Sequence, residues 1–167
     1  PRTIRHASGA VEIKAKPTKV LPLDSGELDA VVQLGLKPIG YLDYNPALMP
    51  EHLVTALQGV KTVGTLAEPN LEAVAALAPE LMLTTLIRHE TIADRLKAIT
   101  PTVFGVSTGV VWKQSFALYA KSLGRETEAD AAVRAYEDRV RKLNAALPNP
   151  RPTVSVVRVL NNNLRYY

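Results

Sequence analysis

The chain has 167 residues, 47% of them apolar and 22% charged, enough to bury a core and too apolar for a disordered tail. Its net charge of +4 is spread along the sequence and not interleaved with aromatics, which excludes nucleic acid as the expected partner. No run of eighteen apolar residues and no charged-then-apolar leader appears, so neither a membrane span nor a targeting segment is expected within it. The absence of cysteine fits a cytosolic protein and an exported one equally.

Thr3-Ile4-Arg5-His6 and Val11-Glu12-Ile13-Lys14 alternate apolar with polar residues around Ala7 to Ala10, predicting a β-hairpin as an edge ornament over residues 1–16. Lys19 to Leu23 reads as a buried strand ending near Pro22, with Asp24 or Ser25 capping a helix over Glu27 to Leu34. Leu34 to Gly40 and Gln58 to Gly64 then repeat one pattern, a glycine suited to a left-handed helix end followed by a short apolar strand. Asn70 caps a helix from Leu71 to Ala78, which Pro79 stops before a strand at Glu80 to Thr84. A helix from His89 to Ala98 and a strand at Thr102 to Phe104 continue the alternation. Repeated β-α units with short connections predict an α/β class: a Rossmann-like, mostly parallel sheet with flanking helices.

From Trp112 the pattern changes. Trp112, Phe116, Tyr119 and Leu123 fall at helical spacing and Gly124 ends that helix. Ala129, Ala132, Val133, Tyr136, Val140, Leu143 and Leu147 then form an apolar stripe along a helix of about 33 Å at roughly 1.5 Å per residue. Asp130 with Arg134, Glu137 with Arg141 and Asp138 with Lys142 are spaced to pair along it. The prolines of 148–152 end this rod, and Thr153 to Leu160, a turn at Asn161 to Asn163, and Leu164 to Tyr167 read as a strand pair too small to bury its own apolar side. The expected organisation is an amino-terminal lobe over 1–124, a connecting helix over 125–148 and, over 153–167, the beginning of a second lobe whose remainder is absent. After Asp138 six basic residues and no acidic one follow, so that end is expected to meet an anion or acids on missing sequence.

These residues resemble a known family, the solute-binding proteins of ABC importers for iron-siderophores, in which a rigid helix joins two Rossmann-like lobes and to which the vitamin B12-binding proteins also belong. The resemblance rests on Arg2 to His6 with Gly9, Asp24-Ser25-Gly26-Glu27-Leu28-Asp29, Leu34 to Gly40, Val63-Gly64 with Glu68-Pro69-Asn70-Leu71-Glu72, Ala75 to Leu83, and Arg88-His89 with Ile99 to Phe104. Each motif is weak by itself; their order is specific. The resemblance implies an exported, periplasmic or cell-surface protein, monomeric and possibly lipid-anchored, that captures a ferric siderophore between lobes and delivers it to a permease dimer. It implies no cofactor and no protein-held metal, the iron being carried by the siderophore.

The same resemblance makes Glu72 a permease-docking residue, although a charge at the second position of a helix also serves helix stability alone. Arg88 follows a strand at the carboxyl edge, where open α/β sheets place ligands, and offers a planar donor fork to carboxylate, hydroxamate or catecholate oxygens. Its ordinary alternative is a surface pair with Glu90 or Asp94. Arg158 and Arg165, by their family-matching positions, are expected on the opposite wall of the cleft, or are plain strand-edge charges. Tyr44, Trp112 and Tyr167 are candidate aromatic contacts for the apolar arms of a chelate; Trp112 is equally suited to the core. Direct metal capture is disfavoured because His6, His52 and His89 lie on separate elements without ligand spacing. No nucleotide-binding or nucleophile motif appears and no catalytic residue is expected. Alternative functions are a flavodoxin-like or receiver-like signalling domain, or the same fold binding vitamin B12, haem or another metal chelate.

Overall fold

The computed structural model describes residues 1–43, 49–160 and 163–167. They divide into two units, residues 1–132 and 133–167. In the first, β1 (Arg2–His6) and β2 (Gly9–Ile13) form an antiparallel hairpin. There follow β3 (Val20–Pro22), α1 (Ser25–Gln33), β4 (Tyr41–Asp43), α2 (Glu51–Ala56), β5 (Thr62–Thr65), α3 (Leu71–Ala76), β6 (Leu81–Thr85) and α4 (Leu86–His89). A 3-10 turn (Glu90–Ile92), α5 (Ala93–Ile99), β7 (Thr102–Gly105), α6 (Trp112–Leu123) and the start of α7 (Glu126–Ala146) complete it. The β-α alternation read from the sequence is therefore present, and among the described residues the strands after the hairpin in this unit pair in parallel: β3-β6-β7 in one sheet, β4-β5 in another.

Side chains on successive strand residues point to opposite faces, so a strand covered on both sides must be apolar throughout. The central strands meet that condition and divide their residues between two cores. Val20, Leu81, Leu83 and Val103 enter one core with Val31 and Leu34 of α1 and Tyr119, Ala120 and Leu123 of α6. Leu21, Leu23, Met82 and Phe104 enter the other, with Val63, Val74 of α3 and Leu96 of α5. Each fully buried Leu or Val contributes about 1.5–3 kcal/mol relative to exposure, so these faces hold the sheet in register.

Three sequence expectations need correction. The hairpin is no ornament: Ile4 and Ile13 are buried in the first core, and Ala7 N donates to Phe104 O at 2.9 Å. The strand expected within Leu36 to Ile39 lies later, at β4, because Pro38 has no N–H for a ladder; Ile39 N alone donates to Val20 O. The helix expected from His89 to Ala98 is divided: α4 ends at His89, a 3-10 turn follows and α5 begins at Ala93, with Leu86, Ile92 and Ile99 all packing on the second core.

In the second unit α7 runs on to Ala146. Its 21 residues span about 32 Å at roughly 1.5 Å each. Of its apolar stripe, Ala129 is buried within the first unit, while Tyr136, Val140 and Leu143 are exposed. Arg141 pairs with Asp138 three residues back. β8 (Val157–Leu160) and β9 (Asn163–Tyr166) form an antiparallel pair, shorter at its start than the strand expected from Thr153. Of the expected turn, Asn161 and Asn162 lie outside the described residues. Val157, Val159, Leu164 and Tyr166 are all exposed. No helix among the described residues is long and apolar enough to cross a membrane.

Candidate functional site

The parallel register of β3, β6 and β7 brings three chain segments to one sheet edge: Asp24 after β3, Leu86 to His89 after β6, and Val106 onward after β7. Asp24 is the N-cap of α1, its Oδ1 accepting from Ser25 N at 2.6 Å and from Ser25 Oγ at 3.2 Å. Its other oxygen, Oδ2, accepts from Arg88 Nε at 2.8 Å. The Asp24 side chain is 1% exposed and that of Arg88 is 45% exposed, so the carboxylate is sealed in while the guanidinium reaches solvent. The partner of Arg88 is thus not Glu90 or Asp94 but a residue 64 positions away.

Beneath this pair lies a second buried carboxyl. Glu27, in the first turn of α1, is 1% exposed and accepts a hydrogen bond from the Tyr119 hydroxyl. Its Oε2 has no hydrogen-bond partner among the described residues. Burial raises the Glu27 carboxyl to about 7; the Tyr119 bond opposes this, Asp24 adds to it and Arg88 offsets it. Burial also drives the Tyr119 phenol well above its ordinary range, reinforced by Glu27. Gly105 makes the arrangement possible, since a Cβ there would stand 2.5 Å from the Tyr119 hydroxyl oxygen. His89 is buried beside them, its Nδ1 2.7 Å from Thr84 Oγ1, and burial lowers its pKa, favouring neutral imidazole.

The other expected site residues lie as follows. Trp112 opens α6 on the segment leaving β7 and is 42% exposed, so it is not a core residue. Glu72 is exposed in the first turn of α3, whose N-cap Asn70 accepts from Ala73 N at 2.9 Å. An open groove of about 790 Å³ runs beside it, lined by Gly64, Glu68, Asn70, Glu72 and Arg95 and by none of the expected ligand residues. Arg158 and Arg165 face each other in register across β8 and β9, and with Tyr167 they are exposed in the second unit. Tyr44 lies outside the described residues. The three histidines are apart: His6 accepts from Ser8 N, His52 pairs with Asp29, and His89 is buried. Among the described residues no group of three or more His, Asp or Glu side chains could hold a metal ion.

Residues 24–167 match the family described as periplasmic binding protein. The chain belongs to that family. Over 99% of its length it is 36% identical to the probable siderophore-binding lipoprotein YfiY of Bacillus subtilis, and over 88% it is 33% identical to the Fe(3+)-citrate-binding protein YfmC of the same organism. It covers 52% and 48% of those two proteins, so the chain spans about half the length of the curated relatives it matches. The crystal structure of Staphylococcus aureus SirA complexed with staphyloferrin B aligns with 94% of this chain and 56% of that one, at a TM-score of 0.84 and 34% identity. Membership of this family, with its mixed α/β fold, displaces the flavodoxin-like or receiver-like alternative.

Sequence reasoning missed Asp24, Glu27 and Tyr119 as parts of one site. Asp24 reads as an ordinary cap, Glu27 as a first-turn charge and Tyr119 as one tooth of an apolar stripe. Only the fold, which brings residues 27 and 119 into hydrogen-bond contact, joins them.

Proposed function

We propose that this periplasmic binding protein is the extracytoplasmic substrate-binding component of an ABC importer, and that its cargo is a ferric siderophore or ferric carboxylate chelate. The observation that carries this reading is Arg88, a half-open guanidinium at the carboxyl edge of a parallel sheet, in a chain whose relatives are named for siderophore and ferric citrate binding. Arg88 would donate to the oxygens of the chelate and Trp112 would pack against its apolar part. Arg158, Arg165 and Tyr167 are proposed as further ligand contacts. Glu72 is proposed to meet the permease; its exposure at the start of a short helix leaves the carboxylate available. The protein would act by binding and delivery, without catalysis.

The test is a titration of the intact protein with ferric citrate, a ferric trishydroxamate and a ferric triscatecholate, followed through Trp112, the one tryptophan. Saturable quenching by one of them is expected, and silence toward all three rejects the reading. Glu72→Ala should keep the parent's affinity yet lower uptake by cells. Uptake equal to the parent's would remove Glu72 from docking.

A further inference from the structure

Arg88 carries its charge to the sheet edge, but one of its nitrogens is already engaged. A guanidinium can receive a two-oxygen anion side-on, through Nε and one Nη, or end-on, through both Nη atoms. With Nε donating to Asp24 Oδ2 at 2.8 Å, the side-on face is taken. The end-on face is left, on a side chain that is 45% exposed and anchored to a carboxylate that is 1% exposed. Because the two charges offset each other, this pair supplies direction to an incoming anion more than it supplies net charge.

We propose that Asp24 is a positioning residue for ligand binding: it holds Arg88 by Nε so that the two terminal nitrogens form a fixed fork for an end-on oxyanion of the chelate. The inference rests on the reading of Arg88 as a ligand contact. It explains why an aspartate stands at this cap, where serine, threonine or asparagine would serve a helix alone. Both carboxylate oxygens are used at once, Oδ1 by Ser25 and Oδ2 by Arg88. Asparagine has one acceptor oxygen, so its amide N–H would oppose either Ser25 N–H or Arg88 Nε–H. Serine keeps the cap but is too short to reach Arg88.

The experiment compares the intact parent with Asp24→Ser, Arg88→Ala, Arg88→Lys and the Asp24→Ser/Arg88→Ala double variant, titrated with whichever of ferric citrate, the ferric trishydroxamate or the ferric triscatecholate the parent binds. The state of Arg88 Nε–H is read separately by NMR without ligand. Asp24→Ser is expected to weaken binding by about tenfold or more, as loss of a group that orients a ligating residue does. Arg88→Lys should lose as much as Arg88→Ala, because one ammonium cannot hold Asp24 and present a planar fork. The double variant should bind no worse than Arg88→Ala, and the Nε–H signal should move to its free, solvent-exchanging position in Asp24→Ser. Parent-like affinity in Asp24→Ser, losses that add in the double variant, or an unmoved Nε–H signal overturns the positioning role while leaving the functional reading intact. Parent-like affinity in Arg88→Ala, or a parent that binds none of the three chelates, rejects the underlying reading and this inference with it. If Asp24→Ser does not fold, Asp24→Thr, whose hydroxyl is likewise too short to reach Arg88, replaces it in every comparison.

Discussion

Replacing Glu27 with Gln isolates the energetic burden of the buried carboxyl. In the folded protein this group titrates at about 7, against an ordinary value of 4.5. The folded state therefore holds a proton that the unfolded chain has lost between those values, and stability falls as pH rises across that interval. The contribution is full below about 4.5, is lost by the time pH has passed through about 7, and changes little beyond. At about 1.36 kcal/mol per unit, the difference amounts to roughly 3 kcal/mol between pH 4 and pH 8. Glutamine can accept from Tyr119 as Glu27 does but has no titration, and its N–H group stands where the protonated acid carries its own unpartnered O–H. The variant should therefore gain on the parent by roughly 3 kcal/mol between pH 4 and pH 8, a relative rise in melting temperature of about 6–12 °C for a domain of this size. Melting both proteins from pH 4 to pH 8 and subtracting the curves removes every other titrating group. Parallel curves would refute the reasoning, because they would mean that Glu27 ionises alike in the folded and unfolded states.

Gly64→Ala should destabilise the protein by about 2–3 kcal/mol in urea unfolding, because Gly64 sits at φ +104 and a Cβ there would lie 2.5 Å from both Asn70 N and Glu68 O. Asn70→Ala should cost about 1 kcal/mol through loss of the bond to Ala73 N, whereas Asn70→Asp should cost little; equal losses in thermal melts would reject the capping account. Glu80 is held at about 2 by its bonds to Lys14 and to the Thr18 and Lys19 amides. Its depressed value means that its stabilising effect is present above about 4.5 and is lost as pH falls through about 2, so Glu80→Gln should melt below the parent near neutrality and converge with it in acid.

Where composition and local spacing determine structure, the sequence was readable. The caps at Asp24 and Asn70, the left-handed stop at Gly124 and the long helix from Glu126 all form as expected, because each depends on residues within one turn. Errors arose where packing from elsewhere decides. Ile4 and Ile13 look like an isolated hairpin until the core formed by α6 and β7 receives them. The start of α4 is set by Leu86 meeting the second core, which no cap residue announces. The candidate site divides along the same line. Arg88 was singled out as a candidate by its place after a strand, but its bond to Asp24 was not foreseen, since that bond closes over 64 residues and competes with nearer acids that looked equally suitable.

Gly105, Tyr119 and Glu27 form a mutually dependent set, because the missing Cβ of one is the space occupied by the hydroxyl of the second, which in turn donates to the third. Substitution at these positions should therefore be concerted among descendants of this protein. A lineage that exchanges the phenol for phenylalanine would be released to carry alanine at 105 and an uncharged residue at 27, while one that keeps the acid is bound to keep the other two.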